Sequence, residues 1–226
     1  MLILALDTTT FSGSAALLKG KKLLSEVNIE SFSTYSERIL PSIHFLLEIN
    51  KLNIKEIEAF AVAVGPGSFT GIRIGLSTIK SFSYASQKPV APISTLKALA
   101  LKVVNSRGRL LCPILDAKKG EIYTALFESG RKDLKEIIAQ GAYSPDYFLS
   151  LLPSHRVVTF IGNGIQTYRE KIIQYLKDKA RFSHRSHFIA CEVGRLGYEL
   201  LRNNKGISFK ELKPLYFRRS QAEEKN

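Results

Sequence analysis

A chain of 226 residues, 45% of them apolar, is long enough to bury a sizeable core as one large domain or as two lobes. Its 33 Lys and Arg against 20 Asp and Glu leave a net charge of +13, which makes contact with nucleic acid plausible without demonstrating it. The two cysteines, Cys112 and Cys191, lie far apart and form no CxxC pair, which argues against a disulfide framework and a zinc site. No apolar run approaches the roughly 20 residues of a membrane span, so no membrane role and a cytoplasmic location are expected.

The first residues, up to Leu6, are apolar, end at Asp7, and read as a buried strand rather than a signal peptide. A polar turn over Thr8 to Ser12 leads to a second strand through Ala15 and Leu18. A further turn at Gly20 begins a third, so the start is an antiparallel meander. Helical spacing takes over from Thr34 to Asn50, with Ile39, Leu40, Ile43, Leu46 and Leu47 on one stripe. Thr34 three residues before Glu37 is a capping-box signature. A buried strand from Ala59 is followed by a glycine-rich turn from Gly65. Next comes a helix through Ile72, Leu76, Ile79 and Phe82, with Ser68 as its N-cap. A short strand ends at Ile93, and Ser94 caps a helix holding Leu96, Leu99 and Leu101.

The chain then begins again. The run from Leu4 to Leu18 can be laid without a gap over Pro113 to Phe127, an offset of 109 residues that pairs Asp7 with Asp116. Each copy is an apolar strand ending in Asp, a polar turn, and a second strand closing in Ala-Leu and an apolar residue. A strand around Phe160, a Gly162-Asn163-Gly164 turn, and helices to about Lys177 and around Cys191 to Leu201 follow in similar order. Two related α/β lobes are expected, residues 1–108 and 109–226, each a mixed sheet flanked by helices, with a cleft between them. A hairpin whose first strand ends in Asp, repeated in two lobes, resembles the actin, Hsp70 and sugar-kinase superfamily. That resemblance implies a duplicated actin-like, ribonuclease H-like ATPase fold. In those ATPases the hairpin turns grip phosphates and the paired aspartates organise magnesium.

A phosphate-gripping turn needs bare backbone N–H groups and therefore glycine. The first turn, Asp7-Thr8-Thr9-Thr10, offers hydroxyls but no glycine before Gly13, and the second is Asp116-Ala117-Lys118-Lys119-Gly120. Phosphotransfer by this chain is therefore not expected. Two readings stay open for the aspartates: Asx hydrogen bonds that close a strand-end turn, or a weakened nucleotide contact through Asp7, Thr8, Thr9 and Asp116. Gly65-Pro66-Gly67-Ser68-Phe69-Thr70-Gly71-Ile72-Arg73 also admits two readings. It is a tight strand-to-helix turn, or an anion site at a helix N-terminus; it is not a Walker A loop, having no Gly-Lys-Ser/Thr.

The segment GPGSFTGIRIGLSTIKSFSYA, Gly65 to Ala85, looks like the defining stretch of the TsaB family, also called YeaZ. LALDTTTFSGSAAL near the start, SERILPSI from Ser36 and PLYFRRSQAE from Pro214 agree with it, while Tyr35 stands where the family pattern has His. The resemblance implies a non-catalytic scaffold and activator that forms a heterodimer with TsaD. The paralogue TsaD carries metal and catalysis, with the ATPase TsaE as third component. Together they make threonylcarbamoyladenosine (t6A) next to the tRNA anticodon. It also implies that the two first-lobe helices pack on their counterparts in TsaD, with Ile39, Ile43, Leu46, Ser68, Phe69, Arg73, Ile74 and Ser77 at the contact. The basic surface would add tRNA contacts. No cofactor is implied for the chain itself, ATP or ADP at the joint with TsaD stays open, and the same face offers a homodimer when the chain is alone. The alternative is an active actin-fold kinase or ATPase.

A related protein's history as a glycoprotease calls for a metal test. Of His44, His155, His184 and His187 only the last two are neighbours, at i, i+3, without a convincing third ligand. No serine sits in a Gly-x-Ser-x-Gly elbow, and neither cysteine has an adjacent basic context. The lysines and arginines fall in small groups: Lys19, Lys21 and Lys22; Lys118 and Lys119; Lys177, Lys179, Arg181 and Arg185; Arg218 and Arg219. No RNP1, KH or zinc-finger signature organises them.

Overall fold

Every residue from Ile3 to Asp7 is buried, as a strand with neighbours on both edges and helices on both faces must be. This strand, β1 (Leu2–Asp7), is central in a five-stranded sheet of a computed structural model that describes residues 1–30, 35–104, 107–130 and 134–218. It pairs antiparallel with β2 (Ser12–Lys19), which pairs antiparallel with β3 (Lys22–Glu30). On its other edge β1 runs parallel to β4 (Ala59–Gly65), and β4 parallel to β5 (Val90–Ser94). Helix α1 (Tyr35–Ile49) joins β3 to β4, α2 (Phe69–Ser86) joins β4 to β5, and α3 (Thr95–Lys102) follows.

The second sheet repeats this plan. β6 (Leu110–Lys118) pairs antiparallel with β7 (Glu121–Ser129), and β7 with β8 (Leu134–Tyr143). β6 also runs parallel to β9 (Val158–Ile161), and β9 to β10 (Ala180–Phe182). Strand orders β3-β2-β1-β4-β5 and β8-β7-β6-β9-β10 are the same order of roles, so the repeat seen in the sequence is a repeat of topology. Between them lie α4 (Pro145–Ser150) and α5 (Gly164–Leu176); α6 (Ala190–Arg202) comes after β10.

The elements β8, α4 and β10 do not stand out in the sequence. β8 carries polar residues at exposed positions, and β10 is three residues long, too short for any period to register. Ser68 accepts from the Gly71 N–H (3.2 Å) and Ser94 from the Lys97 N–H (3.2 Å), so both expected caps form. Thr34, the side chain of Tyr35 and residues 219–223 of the late motif lie outside the described residues.

One unit comprises Met1–Ala98 and Phe188–Tyr216; the other comprises Leu99–His187 and the described residues from Phe217. This corrects the division into 1–108 and 109–226. The reason is α6, which packs on the first sheet. One face of that sheet, with Leu4, Leu6, Leu17, Phe60 and Val62, is covered by Ile39, Ile43 and Leu46 of α1 and Ile72, Leu76 and Ile79 of α2. The opposite face carries Ala5, Ala16, Ala59, Ala61 and Ala63 together with Leu18, all buried, and α6 comes close to Leu18 through Gly194 and to Ala61 through Gly197. The Ser14 hydroxyl accepts the Ala190 N–H (3.0 Å) and holds the start of α6 to β2. The second unit has its own core around Cys112, Ile114, Leu126, Phe148, Phe160 and Ile172.

A β-carbon on Gly197 would meet that of Ala61 at 2.5 Å, so the helix would have to lift. Gly197→Val is expected to destabilise the chain by about 1–3 kcal/mol. The urea unfolding midpoint should fall while the m-value holds.

Candidate functional site

The turn after β1 is closed by its own side chains. Asp7 Oδ1 accepts both the Thr9 N–H (2.9 Å) and the Thr9 hydroxyl (2.6 Å), an Asx turn. The Thr8 hydroxyl donates to the Gly71 carbonyl (2.7 Å), the Thr9 carbonyl accepts the Ser68 N–H (2.7 Å), and the Thr95 hydroxyl donates to Thr9 Oγ1 (3.1 Å). Asp7, Thr8 and Thr9 are wholly buried. The expectation that the two threonines offer hydroxyls to a nucleotide is corrected: both hydroxyls are spent inside the lobe.

The glycine-rich segment explains how α2 reaches this turn. A β-carbon on Gly67 would collide with the Thr9 carbonyl, one on Gly71 with the Thr8 carbonyl, and one on Gly75 with the Thr8 hydroxyl. Its glycines are spaced so that the first turns of α2 lie directly on the Thr8–Thr9 backbone. The N–H groups of Ser68 and Gly71 are both taken, by Thr9 and by the Ser68 cap. Of the two readings of this segment, the tight strand-to-helix turn is the one the structure realises. Burial pushes Asp7 up to about 6 against the lowering effect of its Thr9 hydrogen bonds, and its Oδ2 has no hydrogen-bond partner among the described residues.

The equivalent turn in the second unit has the same form in a wetter setting. Asp116 Oδ1 accepts the Lys118 N–H (2.8 Å), again an Asx turn, and Lys118 Nζ lies 2.9 Å from Asp116 Oδ2. Asn163, at the start of α5, accepts the Asp116 N–H through Oδ1 (3.2 Å). The Arg218 guanidinium donates to the carbonyls of Ala117 (3.0 Å) and Lys118 (3.3 Å) and pairs with Glu121 (3.1 Å). The Lys118 side chain is 73% exposed, so the pair contributes about 1 kcal/mol at most. Asp116 is thus the one member of the expected nucleotide set whose carboxylate reaches solvent.

The outward face of α1 and α2 carries the third feature. A groove of about 460 Å³ is lined by Ile39, Leu40, Thr70, Arg73, Ile74, Ser77 and Thr78. Leu40, Phe45 and Ile49 on α1 and Tyr84 on α2 are each more than half exposed, an unusual concentration for two adjacent helices. Ile43 and Leu46 do not belong to this surface, and Ile39 reaches only the floor of the groove: they are 2%, 0% and 1% exposed, inside the lobe's own core. Burying each contributes roughly 1.5–3 kcal/mol to the fold, so the expectation of these three as contact residues is corrected. Ser68 is the N-cap, and Phe69 packs against Tyr216 (ring centroids 4.5 Å). Arg73 donates to the Tyr216 hydroxyl (3.2 Å) yet lines the groove with Ile74 and Ser77. Leu40, Thr70 and Thr78 are new to the set; the two threonines, as small polar residues, carry no periodic signal.

Among the described residues no three His, Cys, Asp or Glu side chains cluster as metal ligands, and no helix is long and apolar enough to cross a membrane. Cys112 is buried beside Thr124 (3.4 Å), and burial pushes its thiol up to about 12. His187 is held below its ordinary value by burial and then by Lys102.

The chain is 30% identical over 180 residues to the tRNA threonylcarbamoyladenosine biosynthesis protein TsaB of Bacillus subtilis strain 168, covering 79% of this chain and 78% of that one. A family model described as "TsaD: tRNA N6-adenosine threonylcarbamoyltransferase" matches residues 29–225. The chain belongs to the TsaB family, within the wider TsaD family. The solved structure of YeaZ from Pseudomonas aeruginosa shares the fold, superposing with a TM-score of 0.82 at 23% identity. That match covers 95% of this chain and 99% of the other. The ROK hexokinase of Thermus thermophilus matches with a TM-score of 0.50 at 13% identity over 90% of this chain and all of that one, a likeness of fold alone. The duplicated actin-like fold implied by the repeated hairpins is therefore the fold of this TsaB-family chain. Its glycine-rich segment, which carries the family resemblance, is the part that seats α2 on the first hairpin.

Because the Asp7 value lies above the roughly 3.9 of an unfolded chain, the folded state binds this proton more tightly. The stabilisation is present below about pH 4 and lost as pH rises through about 6. Asp7→Asn keeps the acceptor for Thr9 but cannot ionise. Relative to the wild type it should gain about 3 kcal/mol between pH 4 and 7.5, read from urea unfolding at the two pH values.

Proposed function

We propose that the chain is a non-catalytic subunit of the enzyme that transfers threonylcarbamoyl to the adenosine beside the tRNA anticodon, and that it acts by pairing with a TsaD paralogue. The TsaB relatives named for t6A biosynthesis support the pathway. The observation that carries the mode of action is the α1–α2 groove, lined by Leu40 and Ile74 together with Arg73 and Ser77. A TsaD family model matches most of this chain, so a TsaD partner shares its fold and offers an equivalent helix pair. Two such pairs can pack ridge into groove as four helices. The small residues Thr70, Ser77 and Thr78 on α2 leave room for a facing helix.

α2 is suited to present such a surface. Its N-terminal turns are fixed by hydrogen bonds to Thr8 and Thr9, so little of its order has to be created on binding. The chain's contribution is then to hold TsaD in its active shape, with TsaE as the third protein and tRNA as the substrate of the complex. It needs no cofactor of its own, and ATP or ADP belongs at the interface with TsaD. It works in the cytoplasm, and without TsaD a second copy occupies the same face.

In a reconstituted reaction of tRNA, TsaD, TsaE and threonylcarbamoyl-adenylate, t6A is expected to form only when this chain is added. The pure chain should turn over no ATP; magnesium-dependent turnover abolished by Asp116→Ala would make it an ATPase instead. Leu40→Asp and Ile74→Asp should end co-purification with TsaD while leaving the circular dichroism spectrum and melting cooperativity intact. Ile43→Asp should instead unfold the first unit, by 3 kcal/mol or more on the order of a buried unpaired charge. Retention of TsaD by Leu40→Asp would show that the groove is not the interface.

A further inference from the structure

The positive charge is unevenly shared. Residues 99–187 and 217–226 carry 18 Lys and Arg against 10 Asp and Glu, whereas the longer first unit carries 15 against 10. Much of the excess follows α5, where the chain turns through Lys177–Lys179 into β10, an edge strand of the second sheet, and on to Arg185. The one carboxylate between 177 and 187, Asp178, is paired with Lys179 (2.8 Å).

The two arginines of this stretch are held by main-chain carbonyls. Arg181 Nη1 donates to the carbonyls of Asp178 (2.9 Å) and Ala180 (3.1 Å), and Arg185 Nη1 donates to that of Lys102 (2.9 Å). A carbonyl orients a guanidinium without cancelling its charge, and each group keeps further N–H donors for an anion. Both side chains are exposed, as is Lys177. No large apolar side chain from Leu176 to His187 is exposed, and the Phe182 ring lies beneath the Arg169 guanidinium at 4.2 Å. Oriented cations suit a phosphodiester backbone; the exposed apolar side chains nearest in sequence, Ile173 and Tyr175, belong to α5 before this stretch.

We infer that Lys177, Arg181 and Arg185 form a basic ridge on the second unit that binds the phosphate backbone of RNA. The inference rests on the reading that the chain serves tRNA modification, and it names the surface that meets the substrate. Contact of this kind is independent of base sequence and positions the RNA rather than reading it.

The test uses the full chain in complex with TsaD and an unmodified tRNA transcript, with binding followed by fluorescence anisotropy across a salt series. Arg181→Glu/Arg185→Glu should weaken binding by about ten- to a hundredfold and flatten the log affinity against log salt slope by roughly 2, about one for each phosphate that an arginine no longer neutralises. Lys51→Glu/Lys55→Glu in the first unit is the charge-matched control and should leave both unchanged. The double arginine variant should keep co-purifying with TsaD and make t6A with a raised KM for tRNA and a preserved kcat. Unchanged affinity and slope would overturn the ridge. So would binding to vesicles of phosphatidylserine and phosphatidylcholine that the arginine variant loses while its tRNA binding persists. If t6A synthesis did not depend on the chain at all, the wider reading would fail, and the anisotropy series would still decide the ridge separately.

Discussion

A helix can rest on a neighbouring turn at backbone distance only if the helix has no side chains where they touch. In this molecule that condition is met at Gly67, Gly71 and Gly75, and the rest of the first unit is arranged around it. The Thr8–Thr9 turn is gripped by α2 on one side and by Thr95 on another, and Asp7 is sealed beneath it. A turn held this way has its threonine hydroxyls engaged within the unit, and the same contact fixes the direction of α2. The outward residues Arg73, Ile74 and Ser77 then stand on a helix whose position is set by hydrogen bonds rather than by loose apolar contact. The closing of the hairpin and the stiffening of a helix face have a single physical cause.

The two units show how one local plan diverges under different solvation. Asp7 and Asp116 close the same two-residue Asx turn at the ends of equivalent strands. Gly65 and Gly162 follow equivalent strands with nearly equal φ of 115° and 119°. Around Asp7 the environment is hydroxyl-rich and dry. Around Asp116 it is cationic, with Lys118 on the carboxylate and Arg218 on the carbonyls of the turn. Burial has turned one aspartate into a weak acid that strains the fold at neutral pH, while the other is partly exposed beside an ammonium.

Much of the fold could be read because the information is local. The strand-end aspartates, the caps at Ser68 and Ser94, and the return of the pattern after 109 residues are all written in short stretches. The partner face was harder, for a definite reason. Spacing shows that Ile39, Ile43 and Leu46 share a stripe, but a stripe facing its own sheet and a stripe facing a partner have the same period. Leu40, which spacing places on that stripe, is instead exposed, as are Phe45 and Ile49, so period alone does not separate the buried part of the stripe from its exposed margin. The sheet that receives α6 was likewise beyond reach: periodicity marks an amphipathic helix, whereas its partner is chosen by the fit of Gly194 to Leu18 and of Gly197 to Ala61, far away in sequence. The Thr8 hydroxyl finds its acceptor at Gly71, 63 residues away, whereas that of Thr9 donates locally to Asp7 and accepts from the distant Thr95.

The docking of α6 on the first sheet has a consequence for how the molecule is made. Strands β1 to β5 leave the ribosome early, but one face of their sheet stays bare until the chain has passed through the entire second unit and delivered residues 188–216. The second unit is in effect an insertion within the first, and nearly all its parts are contiguous, so it can condense while synthesis continues. The first unit must wait with an apolar face uncovered, the situation in which nascent chains are most exposed to aggregation and to chaperones. The alanines on that face, which carry far less apolar area than leucine or isoleucine, keep the waiting surface small.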